Sequence, residues 1–147
     1  MPYRTIARES PEILDRVFLD ANVLFSAAYS PSSSLKKLWT LAQSGRIMLL
    51  ASSYVIEEAR RNLKQGSQRT RLAKLAGHIE IDTASKKVDV ESIPAALADK
   101  DKPVLSAAVA MDATHLLTGD ITHFGRYYGM QIEGITVLLP GEYLKGK

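Results

Sequence analysis

Apolar residues in this chain come in short blocks separated by longer, periodically patterned stretches. Val17, Phe18 and Leu19 form an unbroken apolar run, and Ile47 to Ala51, His115 to Thr118 and Ile135 to Leu139 are runs of similar length. Runs of this kind, without a regular polar face, predict strands buried on both sides, as in a parallel sheet. Between them the pattern changes to helical spacing. Leu35, Leu38, Trp39 and Ala42 recur at three and four residues and predict a helix over 35–43, with Ser32, Ser33 or Ser34 as its cap and Gly45 as its stop. Val55, Ile56, Ala59 and Leu63 predict a second over 54–63, capped by Ser52 or Ser53.

The remaining elements follow from punctuation. Val23 to Tyr29 reads as a short helix closed by Ser30-Pro31, and Gln65 to Ala76 as a helix stopped by Gly77. A short strand is expected over His78 to Ile81, and a helix from Pro103 to Ala113, since proline suits a first helical turn. Thr122 to Gly129 reads as a short helix or irregular loop, Thr83 to Ala98 mostly as loop, and Glu142 to Lys147 as a short surface tail. Met1 to Asp15, with Pro2 and Pro11, reads as an N-terminal arm. Strands alternating with helices predict an α/β fold. The expected architecture is a three-layer α/β/α sandwich in a single domain spanning 1–147, with a central, mostly parallel sheet.

Composition narrows the function classes. A chain of 147 residues is expected to form one domain and buries ~70% of its unfolded surface. It has no cysteine, which excludes disulfides and thiolate metal sites and fits a reducing cytosol. No apolar run approaches the ~20 residues of a membrane span, and the first fifteen residues lack the apolar core of a signal peptide. A soluble, cytoplasmic protein with no membrane partner is expected. The net charge of +3 is mild, but Arg60, Arg61, Lys64, Arg69, Arg71 and Lys74 fall within fifteen residues.

The candidate chemistry lies in the acids. Asp20 ends the first strand and Asp120 follows another, in T-H-L-L-T-G-D. Carboxylates there face the crevice outside the carboxyl ends of parallel strands, where open α/β sheets bind ligands. Each alone is equally well read as a turn or cap residue. On the helical wheel Glu58 borders the apolar stripe of its helix more closely than Glu57 and can lean toward the sheet edge, though taken alone it reads better as a solvated acid paired with Arg61 or Asn62. Asp99 and Asp101 both precede the helix at Pro103. Capping accounts for one of them and leaves the other for a ligand. Asp101, nearer the helix, is the inner candidate and Asp99 the outer one. Four converging carboxylates must take up protons or bind cations, and all-oxygen ligation selects hard ions such as Mg²⁺ or Mn²⁺. A divalent ion there activates water and stabilises charge on a phosphate under attack, so metal-dependent phosphodiester hydrolysis is expected.

V-F-L-D-A-N-V-L, S-S-Y-V-I-E-E-A-R-R-N-L, D-K-D-K-P-V-L-S-A-A-V-A and H-L-L-T-G-D-I-T-H-F, in this order and spacing, resemble the PIN domain. The resemblance runs from about Arg16 to the C-terminal V-L-L-P-G-E-Y-L and is closest to the branch of VapC-like toxin nucleases of toxin–antitoxin pairs. It implies Asp20, Glu58, Asp101 and Asp120 as catalytic, metal-ligating acids, with Asn22 and Thr118 in support. Ala21 departs from the more usual Thr or Ser. The implied activity is Mg²⁺- or Mn²⁺-dependent RNA cleavage, and the branch implies an antitoxin partner and a homodimer. Arg60, Arg61, Arg126 and His123 are candidates for substrate contact; His115, in a strand, reads as a core or hydrogen-bonded residue rather than a ligand. The rival enzyme class is a haloacid-dehalogenase-like phosphatase, which needs a second Asp where this chain has Asn22. The non-enzymatic rival is a catalytically silent RNA-binding or scaffold domain; retention of all four acids argues against it.

Overall fold

A computed structural model describes residues 14–82, 97, 99 and 101–147. Its elements are β1 (Asp15–Leu19), α1 (Ala21–Tyr29), α2 (Lys37–Gln43), β2 (Ile47–Ser52), α3 (Ser53–Asn62), α4 (Gly66–Ala76), β3 (Glu80–Asp82), α5 (Lys102–Ala110), β4 (His115–Leu117), α6 (Ile121–Phe124), β5 (Gln131–Ile132), β6 (Ile135–Leu138) and α7 (Pro140–Leu144). Single 3-10 turns at Ser34–Lys36 and Gly125–Tyr127 precede α2 and follow α6.

The six strands form one sheet in the order β3-β2-β1-β4-β6-β5. All neighbours are parallel except β5 on β6. Phe18 pairs with Leu50 on one side and Leu116 on the other, so β1 is central. Val17, Phe18 and Leu19 are wholly buried, as their unbroken apolar run requires. Burying each such side chain contributes ~1.5–3 kcal/mol. Helices flank the sheet: α1 packs on α3 and α4, while α2, α3 and α5 all touch β2. From β1 the chain proceeds outward to β2 and β3, then returns with β4 on the opposite side of β1. The β1–β4 junction is therefore the topological switch point.

Several expectations are corrected. Asp15 opens β1, paired with Ile47, rather than closing an arm; the rest of that arm up to residue 13 lies outside the described residues. So does the expected loop over 83–98, apart from the buried Leu97. The helix begun at Pro103 ends at Ala110, because Asp112 turns into the left-handed region at φ 56°. The last segment is not merely a surface tail. Pro140 starts α7, and buried Tyr143 donates to Asp15 Oδ2 at 2.6 Å while its ring meets His115 edge-on. The antiparallel β5 was not expected. It is made by a two-residue turn, Glu133-Gly134, in which both residues have positive φ, the geometry of a tight hairpin.

Candidate metal centre

The site is built from chain ends that the sheet brings together. Leu19 ends β1, and the Asp20 amide donates to Leu117 O at 3.0 Å, tying the start of the crevice to β4. Asp20 is 5% exposed. Its Oδ1 accepts from the Ala21 amide at 2.7 Å, and its Oδ2 accepts from the Thr118 hydroxyl at 2.8 Å and Asn22 Nδ2 at 3.3 Å. Thr118, fully buried just past β4, also accepts from the Asp120 amide at 3.1 Å and from Asn22 Nδ2 at 3.3 Å. Asn22 completes the link by accepting the Gly119 amide on Oδ1 at 2.7 Å. A Cβ on Gly119 would stand 3.3 Å from that same oxygen, so the close approach needs a small residue. The supporting pair Asn22 and Thr118 thus forms one bonded frame with Asp20 and Asp120.

The other acids arrive from helices. Ser52 caps α3 through the Val55 amide, and the burial of Val55, Ala59 and Leu63 fixes how α3 is rotated. That rotation leaves Glu58 half-buried and Glu57 exposed, bonded to Arg60 at 2.5 and 2.8 Å. Asp101 precedes α5 and is buried, and its carboxylate does not cap the helix. Asp99 lies in the open, paired with Lys102 at 3.1 Å. Of the two acids expected at this helix start, Asp101 faces inward.

Burial raises the Asp20 carboxyl above its ordinary value, and the negative charges of Asp101 and Glu58 push the same way. The bonds from Thr118 and Ala21 act in opposition. Tyr128, whose hydroxyl donates to Thr118 O at 2.9 Å, is raised by burial and then by the charges of Asp120 and Asp20. Asp20, Glu58 and Asp120 line one cleft of about 390 Å³ together with Asn22, Phe25, Asn62 and Gly119.

His123, a candidate for substrate contact, stands among the acids. Its Nδ1 is 2.7 Å from Asp101 Oδ2 and 2.8 Å from Asp120 Oδ2. Ligand atoms of Asp101, Asp120 and His123 lie within 4.8 Å of one another, close enough for one metal ion. The sequence signal was available in the three-residue spacing from Asp120 to His123 on a helical turn. Phe25, Asn62 and Tyr128 had no such signal. Arg60, Arg61 and Arg126 are exposed, and no Lys or Arg is among the described residues that line the cleft. His115 is half-buried, 2.8 Å from Thr114 Oγ1 through Nδ1, and burial lowers its pKa.

A mostly parallel α/β sheet with acids gathered at the carboxyl ends of its two central strands defines the class of open α/β domain with its crevice at the switch point. The chain belongs to the PIN domain family, whose model matches residues 16–122. Among solved structures it is similar to a chain of VapBC2 from Rickettsia felis, described as bound to a DNA fragment from their promoter. Sequence identity is 21%, the match covers 83% of this chain and 96% of that one, and the TM-score is 0.57. Comparison with curated proteins returned no match. No helix among the described residues is long and apolar enough to cross a membrane.

Proposed function

We propose that this chain is a metal-dependent endoribonuclease and the toxin of a toxin–antitoxin pair. The observation that carries the reading is the convergence of Asp20, Glu58, Asp101 and Asp120, from four separate stretches of chain, on the β1–β4 switch point. Gathering buried carboxylates is unfavourable unless a cation or protons neutralise them. The donors fit a divalent ion: ligand atoms of Asp101, Asp120 and His123 lie within 4.8 Å of one another, and Asp20 and Glu58 line one cleft with Asp120.

In this reading Asp20, Asp101, Asp120 and Glu58 hold Mg²⁺ or Mn²⁺. The ion, when bound, supplies an activated water and neutralises charge on the scissile phosphate. The protein's own part is placement. Thr118 and Asn22 fix the Asp20 carboxylate by hydrogen bonds, and the Ala21 amide occupies its other oxygen. Arg61 and Lys64, exposed around the end of α3, and Arg126 after α6 are proposed to hold the RNA backbone outside the acidic cleft. Arg60 engages substrate only by leaving Glu57. A phosphatase of the haloacid-dehalogenase kind has no second acid to use, since Asn22 spends its amide on Asp20, Thr118 and Gly119.

The toxin role rests on family membership and on the likeness to a VapBC2 chain. A small antitoxin whose segment covers the acidic cleft, and a homodimer of this chain, are the partners proposed. The test is labelled RNA incubated with Mn²⁺, with and without EDTA, beside Asp20→Asn. Cleavage by the wild type should be abolished by EDTA and reduced by on the order of a hundredfold or more in the variant. Equal degradation by both proteins removes the nuclease reading. Growth arrest on overexpression, relieved by a neighbouring small gene, tests the toxin role, and unimpaired growth counts against it.

A further inference from the structure

We propose that His123 is a nitrogen ligand of the metal centre and biases it towards Mn²⁺ over Mg²⁺. The inference rests on the cation-holding reading above and assigns it a donor of a different chemical kind. Three facts carry it. His123 Nδ1 stands 2.7 Å from Asp101 Oδ2 and 2.8 Å from Asp120 Oδ2. Side-by-side donors on an octahedral ion with bonds of ~2.1 Å are about 3 Å apart, and opposite donors about 4.2 Å apart. The three atoms, all within 4.8 Å of one another, are therefore spaced like part of one coordination shell.

The second fact is direction. By distance these contacts are ion pairs, yet the buried Nδ1 makes no hydrogen bond to either oxygen. An imidazolium acting as a salt-bridge donor would aim its N–H along one of those lines. A nitrogen set beside two carboxylate oxygens without pointing at them suits a shared third body. The third fact is anchoring. The His123 amide donates to Asp120 Oδ1 at 3.1 Å, which leaves Asp120 Oδ2 on the imidazole side.

The consequence for metal choice follows from ligand type. Mg²⁺ takes oxygen donors and keeps much of its water, whereas Mn²⁺, though it too suits carboxylates, belongs to the first-row series that binds sites containing nitrogen, at the weak end of its order. One nitrogen among carboxylates keeps Mn²⁺ in range and handicaps Mg²⁺.

Pulsed electron paramagnetic resonance of Mn²⁺ bound to the wild-type chain reads this without catalysis. The expected spectrum shows coupling to an imidazole nitrogen that shifts when only histidine carries ¹⁵N. The coupling should vanish in His123→Gln. That variant should lose about tenfold in Mn²⁺ affinity while Mg²⁺ affinity stays within about twofold. Bound Mn²⁺ without histidine coupling overturns the inference and leaves the carboxylate site standing. Failure of the wild type to bind Mn²⁺ at all overturns both. The wild-type spectrum decides the matter even where the variant folds poorly.

Discussion

The Thr118 hydroxyl donates to Asp20 Oδ2 at 2.8 Å, joining residues 98 positions apart at the ends of the two central strands. The bond is buried on both sides, so its loss exposes nothing to water that could replace it. Thr118→Val keeps the shape and removes the donor. Expected is a loss of ~1–3 kcal/mol in urea denaturation of the metal-free protein, with Thr118→Ser retaining most of it. A valine variant as stable as the wild type would show that the bond is dispensable.

Asp20→Asn separates the cation from the fold. In the metal-free protein the Asp20 charge is opposed by burial and by Asp101 and Glu58, while an amide nitrogen would face donors that now serve a carboxylate oxygen; the two effects offset, so thermal stability should stay within about 1 kcal/mol of the wild type. Mn²⁺ at a hundred times its dissociation constant should stabilise the wild type by ~2.7 kcal/mol and the variant far less. Equal stabilisation of both, followed by differential scanning fluorimetry, would place the ion elsewhere.

The raised Asp20 pKa sets a pH dependence. The folded carboxyl keeps its proton to higher pH than the unfolded one, whose ordinary value is 3.8. In the window above that value the folded state holds the extra proton, so raising pH removes stability. In EDTA the wild type should therefore lose stability as pH climbs from 3.8 through the folded-state pKa, and Asp20→Asn should lose less. Parallel pH profiles for the two proteins would contradict the assignment.

Neighbouring glutamates on α3 should behave differently. Glu57 is exposed and its pKa is lowered by its bond to Arg60, so Glu57→Gln should leave Mn²⁺ binding and fold stability nearly unchanged. Glu58 lines the cleft, and Glu58→Gln should weaken Mn²⁺ binding by about tenfold in calorimetric titration. Indistinguishable variants would mean that the rotation of α3 has no bearing on the cation.

Tyr143 gives an alkaline signature remote from the cleft. Burial, then its bond to Asp15 and the Asp15 charge, hold its phenol well above the ordinary value of 10. The stabilisation is complete below pH 10 and lost as pH rises through the folded-state value. Tyr143→Phe should be less stable at neutral pH and show a shallower fall above pH 10. An unchanged alkaline slope would mean another group titrates there.

Much of the centre was legible before any coordinates, because strand ends and helix wheels are local properties. Asp20 and Asp120 could be placed at the crevice from the apolar runs that precede them, and Glu58 preferred over Glu57 from the stripe of Val55, Ala59 and Leu63. The choice between Asp99 and Asp101 was harder, since both stand at one helix start. Packing settled it by burying Asp101 and leaving Asp99 to Lys102. β5 escaped notice because Glu133-Gly134 lacks the Asn or Asp that usually marks a tight hairpin. Tyr143 escaped because its partner Asp15 lies 128 positions away.

By itself, then, the order of apolar runs and helical stripes determined a mostly parallel α/β sheet and the acids at its carboxyl edge. Burial of a side chain is read from its immediate neighbours in sequence, so those features needed nothing further. Only the tertiary structure decided that Thr118 braces Asp20, that Asp101 and not Asp99 turns inward, and that His123 stands between Asp101 and Asp120. Thr118 meets Asp20, and His123 meets Asp101, across stretches whose distance in sequence says nothing of their distance in space; the pairing of β1 with β4 is what brings the first pair together.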